Sequence, residues 1–132
     1  MTRYKIKIEY DGTPFVGWQF QKNGLSVQKI IQDAIFSFSQ QKVNVTGAGR
    51  TDSGVHALTQ VAHFDLDRKI KKKNFLMGVN QYIGSKPVTI LNIKKVKKKF
   101  HARFDAKKRV YEYIIINIQT PLALQKNKAW HI

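Results

Sequence analysis

Arg50 and Asp52 stand two positions apart in the stretch Gly47-Ala48-Gly49-Arg50-Thr51-Asp52-Ser53-Gly54-Val55-His56-Ala57, where three glycines bracket one guanidinium and one carboxylate. Glycine permits close approach of a backbone or a ligand, so the stretch reads as a loop that presents the two charges together. A carboxylate beside a fixed cation keeps its negative charge well below neutral pH. That pairing would build an anionic nucleophile or base in a chain whose net charge is +16. The same residues also spell a turn, because Asp side chains bond their own backbone in such sequences. Familiar phosphate and nucleophile motifs do not fit. Asp52 stands where a dinucleotide fingerprint requires its third glycine, and no Lys-Ser/Thr pair follows as in a P-loop. Thr51-Asp52-Ser53-Gly54-Val55 lacks the first glycine of a nucleophile elbow.

The elements that must hold this loop follow from periodicity. Tyr4, Ile6, Ile8 and Tyr10 alternate with charged residues, which predicts a half-buried strand over 3–10. A turn-rich loop carrying Phe15, Trp18 and Phe20 leads to Ser26, a helix N-cap. The apolar stripe Val27, Ile30, Ile31, Ala34, Ile35 and Phe38 follows at helical spacing. Leu25 against Ile30 would form a hydrophobic staple. A short strand over 43–46 is expected to feed the Arg50–Asp52 loop, and 57–66 to leave it as another strand with Leu58, Ala62, Phe64 and Leu66 facing inward. A second helix is expected over 71–83, with Phe75, Leu76, Val79 and Ile83 as its core stripe and Gly84 as its stop. Strands over 88–96 and 110–118 complete the order βαββαββ. This is an α+β, ferredoxin-like layer: an antiparallel-rich sheet with two helices on one face.

Composition narrows the function classes. The chain has 132 residues, enough for one domain with its own core. It has no cysteine, which removes disulfides and thiolate chemistry, and its four scattered histidines do not suggest a zinc site. No apolar run approaches the roughly 18 residues of a membrane span, and Met1-Thr2-Arg3 runs directly into strand alternation, so a cytoplasmic location without membrane contact is expected. Residues 68–109 hold 15 Lys and Arg against a single acid, Asp105. So concentrated a positive field attracts a polyanion and releases its counterions on binding.

Three segments resemble one known family. Gly49-Arg50-Thr51-Asp52-Ser53-Gly54-Val55-His56-Ala57, followed by Gln60-Val61-Ala62-His63-Phe64, is similar to the active-site signature of the TruA family of tRNA pseudouridine synthases. Glu9-Tyr10-Asp11-Gly12-Thr13, with Phe15 and Gly17-Trp18-Gln19, resembles that family's first strand and following loop. Phe100-His101-Ala102-Arg103-Phe104-Asp105-Ala106 leading into Tyr111-Glu112-Tyr113 resembles a later one. The three stand in the family's order and span residues 4–116.

The resemblance implies a cofactor-free isomerisation of uridine to pseudouridine in the anticodon stem-loop of tRNA, on a nucleotide flipped out of its stack. It implies that Asp52 is the nucleophile, that Arg50 orients it and keeps it ionised, and that Tyr111 stacks on the target base. Tyr113, two residues along the same strand face, reads as sheet packing. Arg103 and the run Lys97, Lys98 and Lys99 are expected to touch tRNA phosphate. His56 and His101 read as loop histidines bonded to backbone, with no chemistry assigned. Family members are about twice as long, have a second domain of similar layout and act as homodimers. Residues 1–132 therefore look like the N-terminal, aspartate-bearing domain, with the C-terminal domain absent from the chain. The alternative is a truncated RNA-binding domain without turnover. A basic ribosomal or chaperone-like interaction module would also fit the charge, but leaves Gly-Arg-Thr-Asp unexplained.

Overall fold

A computed structural model describes residues 1–22 and 24–106, together with the backbone of 115–116 and 130–131. Its elements run β1 (Thr2–Tyr10), α1 (Val27–Ser39), β2 (Thr46–Gly47), β3 (Ala57–Leu66), α2 (Lys72–Ile83) and β4 (Val88–Val96). A short parallel pair follows, β5 (Ile115–Ile116) and β6 (Trp130–His131). The first four strands form one antiparallel sheet in the order β2-β3-β1-β4. This is the expected α+β layer. Most of the seventh element expected, a strand over 110–118, lies outside the described residues.

Alternation decides which face of the sheet is buried. On β1 the side chains of Tyr4, Ile6, Ile8 and Tyr10 are buried, and they meet Ala62, Phe64 and Leu66 of β3 and Val88, Ile90 and Ile93 of β4. Both helices cover this face: Val27, Ile30, Ile31, Ala34 and Ile35 of α1 and Phe75, Val79 and Ile83 of α2 join the same core. Phe75 stacks on Phe64 of the sheet with centroids 5.7 Å apart and meets Phe38 of α1 edge-on at 5.6 Å. One aromatic ring thereby ties three elements together, α1, α2 and β3. Ser26 caps α1 as expected, its hydroxyl accepting from the Lys29 N–H at 3.2 Å. Leu25 stays 42% exposed, so the staple expected with Ile30 buries little.

Two registers depart from simple alternation. Tyr10 pairs with Ala57 while Ile8 pairs with Gln60, so β3 carries an extra residue there. This bulge turns Leu58 out to 84% exposure, against the expectation that it faces inward. β2 also begins later than expected, at Thr46 rather than Val43. The polar backbone of Val45 is taken by α1 instead of a strand. Its N–H donates to the Gln32 side chain at 3.0 Å, and its carbonyl accepts from Gln28 Nε2 at 2.8 Å.

The helix-free face is polar. Arg3, Lys5 and Lys7 of β1 stand there, with Asp65 and His63 of β3 and Asn92 and Lys94 of β4 as cross-strand neighbours. Arg3 holds Asp65 in a two-pronged pair, Nε to Oδ1 at 2.8 Å and Nη2 to Oδ2 at 3.0 Å. That guanidinium lowers the Asp65 pKa below its ordinary value of 3.8. The pair's contribution is complete above that value and is lost as pH falls through the folded-state pKa beneath it.

His63 is 5% exposed, and its Nδ1 accepts the Ala102 N–H at 3.0 Å. Burial, then the nearby Arg3 charge, lowers its pKa below 6.5. The unfolded chain therefore binds a proton more readily than the folded one. Stability from this residue is complete above pH 6.5 and declines as pH falls through that value toward the lower folded-state pKa. Urea unfolding across this window will show the decline. His63→Gln, which keeps an acceptor for Ala102 but does not titrate, will show less of it.

Candidate functional site

The loop between β2 and β3 carries Asp52, and it is held by the loop that follows β1. Three backbone bonds join them or shape the turn: Trp18 N–H to the Thr51 carbonyl at 3.0 Å, Gly54 N–H to the Phe15 carbonyl at 3.3 Å, and Val55 N–H to the Asp52 carbonyl at 3.2 Å. The 15–18 loop is itself braced by the start of α1, where Val27 and Gln28 N–H groups donate to the carbonyls of Gly17 and Trp18. Trp18 is 1% exposed beneath this junction. Thus the core that buries Trp18 also fixes the backbone on both sides of Asp52.

Side chains complete the frame. The Tyr10 hydroxyl lies 2.7 Å from Thr51 Oγ1, and Ser53 Oγ donates to the Phe15 carbonyl at 3.3 Å. The buried Gln60 amide clamps Gly49 at both ends, accepting its N–H at 3.3 Å and donating to its carbonyl at 2.6 Å. His56 Nδ1 accepts the Gly12 N–H at 2.8 Å and lies 3.1 Å from Asp11 Oδ1. That is the backbone-bonding role expected of it. His101 plays the same part elsewhere, its Nδ1 accepting the Phe104 N–H at 3.2 Å.

Asp52 itself is exposed, as is Arg50. The expected ion pair between them is not formed; among the described residues the Lys and Arg pairs with carboxylates are Arg3–Asp65 and Lys29–Asp33. Two solvated side chains gain little from pairing, roughly 0–1 kcal/mol, against the entropy of holding both still. The backbone holds the Asp52 position, and its carboxylate faces solvent at the end of the sheet.

Tyr111 lies outside the described residues. Arg103, Lys97, Lys98 and Lys99 are exposed, but they are not beside Asp52. Tyr10 pairs with Ala57 at the end of β1 that meets the Asp52 loop, whereas Arg3 pairs with Val96 at the other end. At about 3.3 Å per residue the two ends are roughly 23 Å apart. Tyr10, Gln60, Gly12 and Gly17 are framing residues that the sequence reading did not single out. All four stand within the segments quoted above, and Tyr10 also in the β1 alternation, but none was given a part in holding Asp52. Among the described residues no cluster of His, Asp and Glu is arranged to hold a metal ion. No helix among them is long and apolar enough to cross a membrane.

Because the Tyr10 hydroxyl is buried against Thr51, Tyr10→Phe should leave the fold intact at a loss of about 0.5–1.5 kcal/mol. Amide hydrogen exchange will then quicken in the 50–53 segment while the β1–β3 ladder stays protected.

The site is thus a sheet capped by helices on one face, with a solvent-facing aspartate on a braced Gly-Arg-Thr-Asp loop. Residues 6–105 match the family described as tRNA pseudouridine synthase, and the chain belongs to that family. Among curated relatives it is 50% identical over 129 residues to the tRNA pseudouridine synthase A of Ehrlichia ruminantium (strain Gardel), covering 97% of this chain and 52% of that protein. It is 48% identical to that of Pelagibacter ubique (strain HTCC1062), covering 100% and 54%, and 49% identical to that of Anaplasma marginale (strain Florida), covering 98% and 53%. The chain spans about half the length of these relatives.

Proposed function

We propose that residues 1–132 form the N-terminal, aspartate-bearing domain of a tRNA pseudouridine synthase that isomerises uridine in the anticodon stem-loop. The observation that carries this reading is the exposed Asp52 on a loop whose backbone is bonded to the Trp18 junction and whose Thr51 side chain meets the Tyr10 hydroxyl. The reaction needs an anionic group at a fixed point beside a flipped nucleotide. The N-glycosidic bond breaks, the uracil turns, and a C–C bond forms to the same sugar. A proton leaves C5 and one is gained at N1, so the step is an isomerisation without a cofactor. Asp52 acts as the nucleophile.

Arg50, exposed and unpaired with Asp52 here, contacts the incoming RNA backbone and meets the carboxylate in the bound complex. Tyr111 stacks on the target base. The active enzyme is a cytoplasmic homodimer whose second domain closes the pocket.

Tritium release from tRNA labelled at uridine C5, run beside a gel shift, tests this. Release by this chain, or by this chain combined with a second domain, supports the enzyme. One other reading, an RNA-binding domain without turnover, is favoured by the concentrated positive charge of residues 68–109, which serves binding alone equally well. Binding without release in either arrangement would select it.

The basic run supplies phosphate contacts that position tRNA without reading its sequence. Neutralising Lys97, Lys98 and Lys99 together should weaken binding of all tRNAs alike. Each lost contact should shallow the slope of log affinity against log salt by about 0.7–0.9. An unchanged slope in a titration would remove these lysines from the interface.

A further inference from the structure

At the end of β1 away from Asp52, the 100–105 turn lies on the helix-free face and carries an aromatic ladder. Buried His63 meets His101 at 4.7 Å between centroids, and His101 stacks under Phe104 at 4.1 Å with planes 22° apart. Phe104, the outermost rung, is 80% exposed. A single exposed phenylalanine is ordinary. This one stands on a turn held by hydrogen bonds beneath it. Asp105 N–H donates to the His101 carbonyl at 2.8 Å, and the Asp105 carboxylate accepts the His101 N–H at 2.7 Å. His63 accepts from Ala102, His101 accepts from Phe104, and Arg3 Nη1 donates to the Phe100 carbonyl at 2.7 Å. A ring so supported loses little freedom when another flat ring lies on it.

Its surroundings choose the partner. A hollow of about 670 Å³ beside the turn is lined by Lys94, Lys95, Lys97 and Lys99 as well as Phe100 and Asp105. Lys94 also borders a second hollow of about 260 Å³ with Lys5, Lys7 and Asn92. Lys5 and Lys94 are direct cross-strand neighbours, a like-charge pairing that weakens a sheet unless an anion sits between. An apolar protein surface laid over the whole turn, hollow included, would have to desolvate these ammonium groups. A nucleic-acid strand would neutralise them and bring a base to the ring.

We infer that the His63–His101–Phe104 ladder, whose base His63 pairs with Lys5, is a stacking platform for an unpaired nucleobase of the bound RNA, at a second contact point roughly 17 Å along β1 from the Asp52 loop. This rests on the RNA-binding reading above. It adds that a base is held as well as phosphate, far from the reacting nucleotide. The enzyme then grips its substrate at two points, and the remote one fixes the angle at which the target enters the Asp52 end.

The test measures binding of the 132-residue chain to a tRNA transcript and to a short single-stranded oligoribonucleotide, for wild type, Phe104→Ala, Phe104→Leu and Phe104→Trp. Because the ring is exposed, melting temperatures should stay together. Phe104→Ala and Phe104→Leu should weaken both RNAs about tenfold or more with the salt slope unchanged, because no charge is removed. Phe104→Trp should restore affinity, and its added fluorescence should be quenched by RNA. If the Ala and Leu variants bind like wild type while Lys94→Ala/Lys97→Ala loses affinity, the platform is overturned and the RNA-binding reading stands. If wild type binds neither RNA at low salt, both fall. If Phe104→Ala alters sedimentation of the protein but not RNA affinity, the ring belongs to a protein contact and the platform is overturned.

Discussion

Asp52→Asn is expected to abolish pseudouridine formation, with a loss of at least about a thousandfold in turnover, while tRNA affinity stays within a few-fold. Asparagine has the same shape, and the turn around position 52 is made by backbone: Val55 N–H to the residue 52 carbonyl, with Thr51 held from Trp18 and Tyr10. The fold therefore has no reason to change. What disappears is the negative oxygen, and an amide is a poor nucleophile at any accessible pH. The sign of the binding effect is also set. Removing one negative charge from a chain of net charge +16 cannot repel a polyanion, so any shift in affinity should be upward. Tritium release and filter binding, measured on the same preparation of turnover-competent enzyme, separate the two quantities. An Asn variant that turns over at a comparable rate would move the chemistry to another residue. Asp52→Glu sharpens the point: it keeps the charge but moves the carboxylate about one bond outward, and positional catalysis is sensitive to a displacement of that size.

Much of the scaffold was legible because it depends on local pattern. The alternation from Tyr4 to Tyr10 gives β1, and the spacing of Val27, Ile30, Ile31, Ala34 and Ile35 gives α1 with its Ser26 cap. Those signals lie within one element and do not require knowledge of what packs against it. The frame of the Asp52 loop is different. Gln60 clamping Gly49, and Tyr10 reaching Thr51, depend on which strands pair and where a bulge falls. Leu58 was misplaced for that reason: strict alternation assigns it inward, and one extra residue in β3 turns it out. The Arg50–Asp52 pair failed on another ground. Proximity in sequence brings charges near one another, but two exposed ions gain too little to lock together. The basic run was readable as a polyanion signal, yet charge counts carry no geometry. Only the register of β1 with β4, together with the bonds of Phe100 to Arg3 and of Ala102 to His63, reveals that Lys97–Lys99 and the turn carrying Arg103 lie toward the end opposite Asp52.

Gly17→Ala should damage the protein more than any surface change, because two independent constraints meet there. Its φ of +120° lies in a region that residues with a Cβ rarely adopt. A Cβ built on it would also stand 2.6 Å from the Thr51 carbonyl oxygen and 3.2 Å from the Asp52 carbonyl carbon. Those are backbone atoms, bonded to Trp18 and to Val55, so no flexible side-chain tip can swing aside. Backbone strain of about 1–3 kcal/mol and overpacking of about 1–3 kcal/mol then combine to roughly 2–6 kcal/mol, a large part of the 5–15 kcal/mol typical of a domain. The chain can relieve this only by letting the Asp52 loop move away from the 15–18 loop. Gly12→Ala presses on the far side of the same loop, its Cβ falling 2.0 Å from the Val55 carbonyl oxygen. Both variants should therefore lower the urea midpoint, and whatever remains folded should show fast amide exchange around 51–55 and little turnover. Gly54→Ala is the control, since its Cβ meets nothing within 4 Å although its φ is +79°. It carries the backbone strain without the clash, so its loss should be smaller. If Gly17→Ala and Gly54→Ala were equally stable, contact between the two loops would not be what holds Asp52 in place.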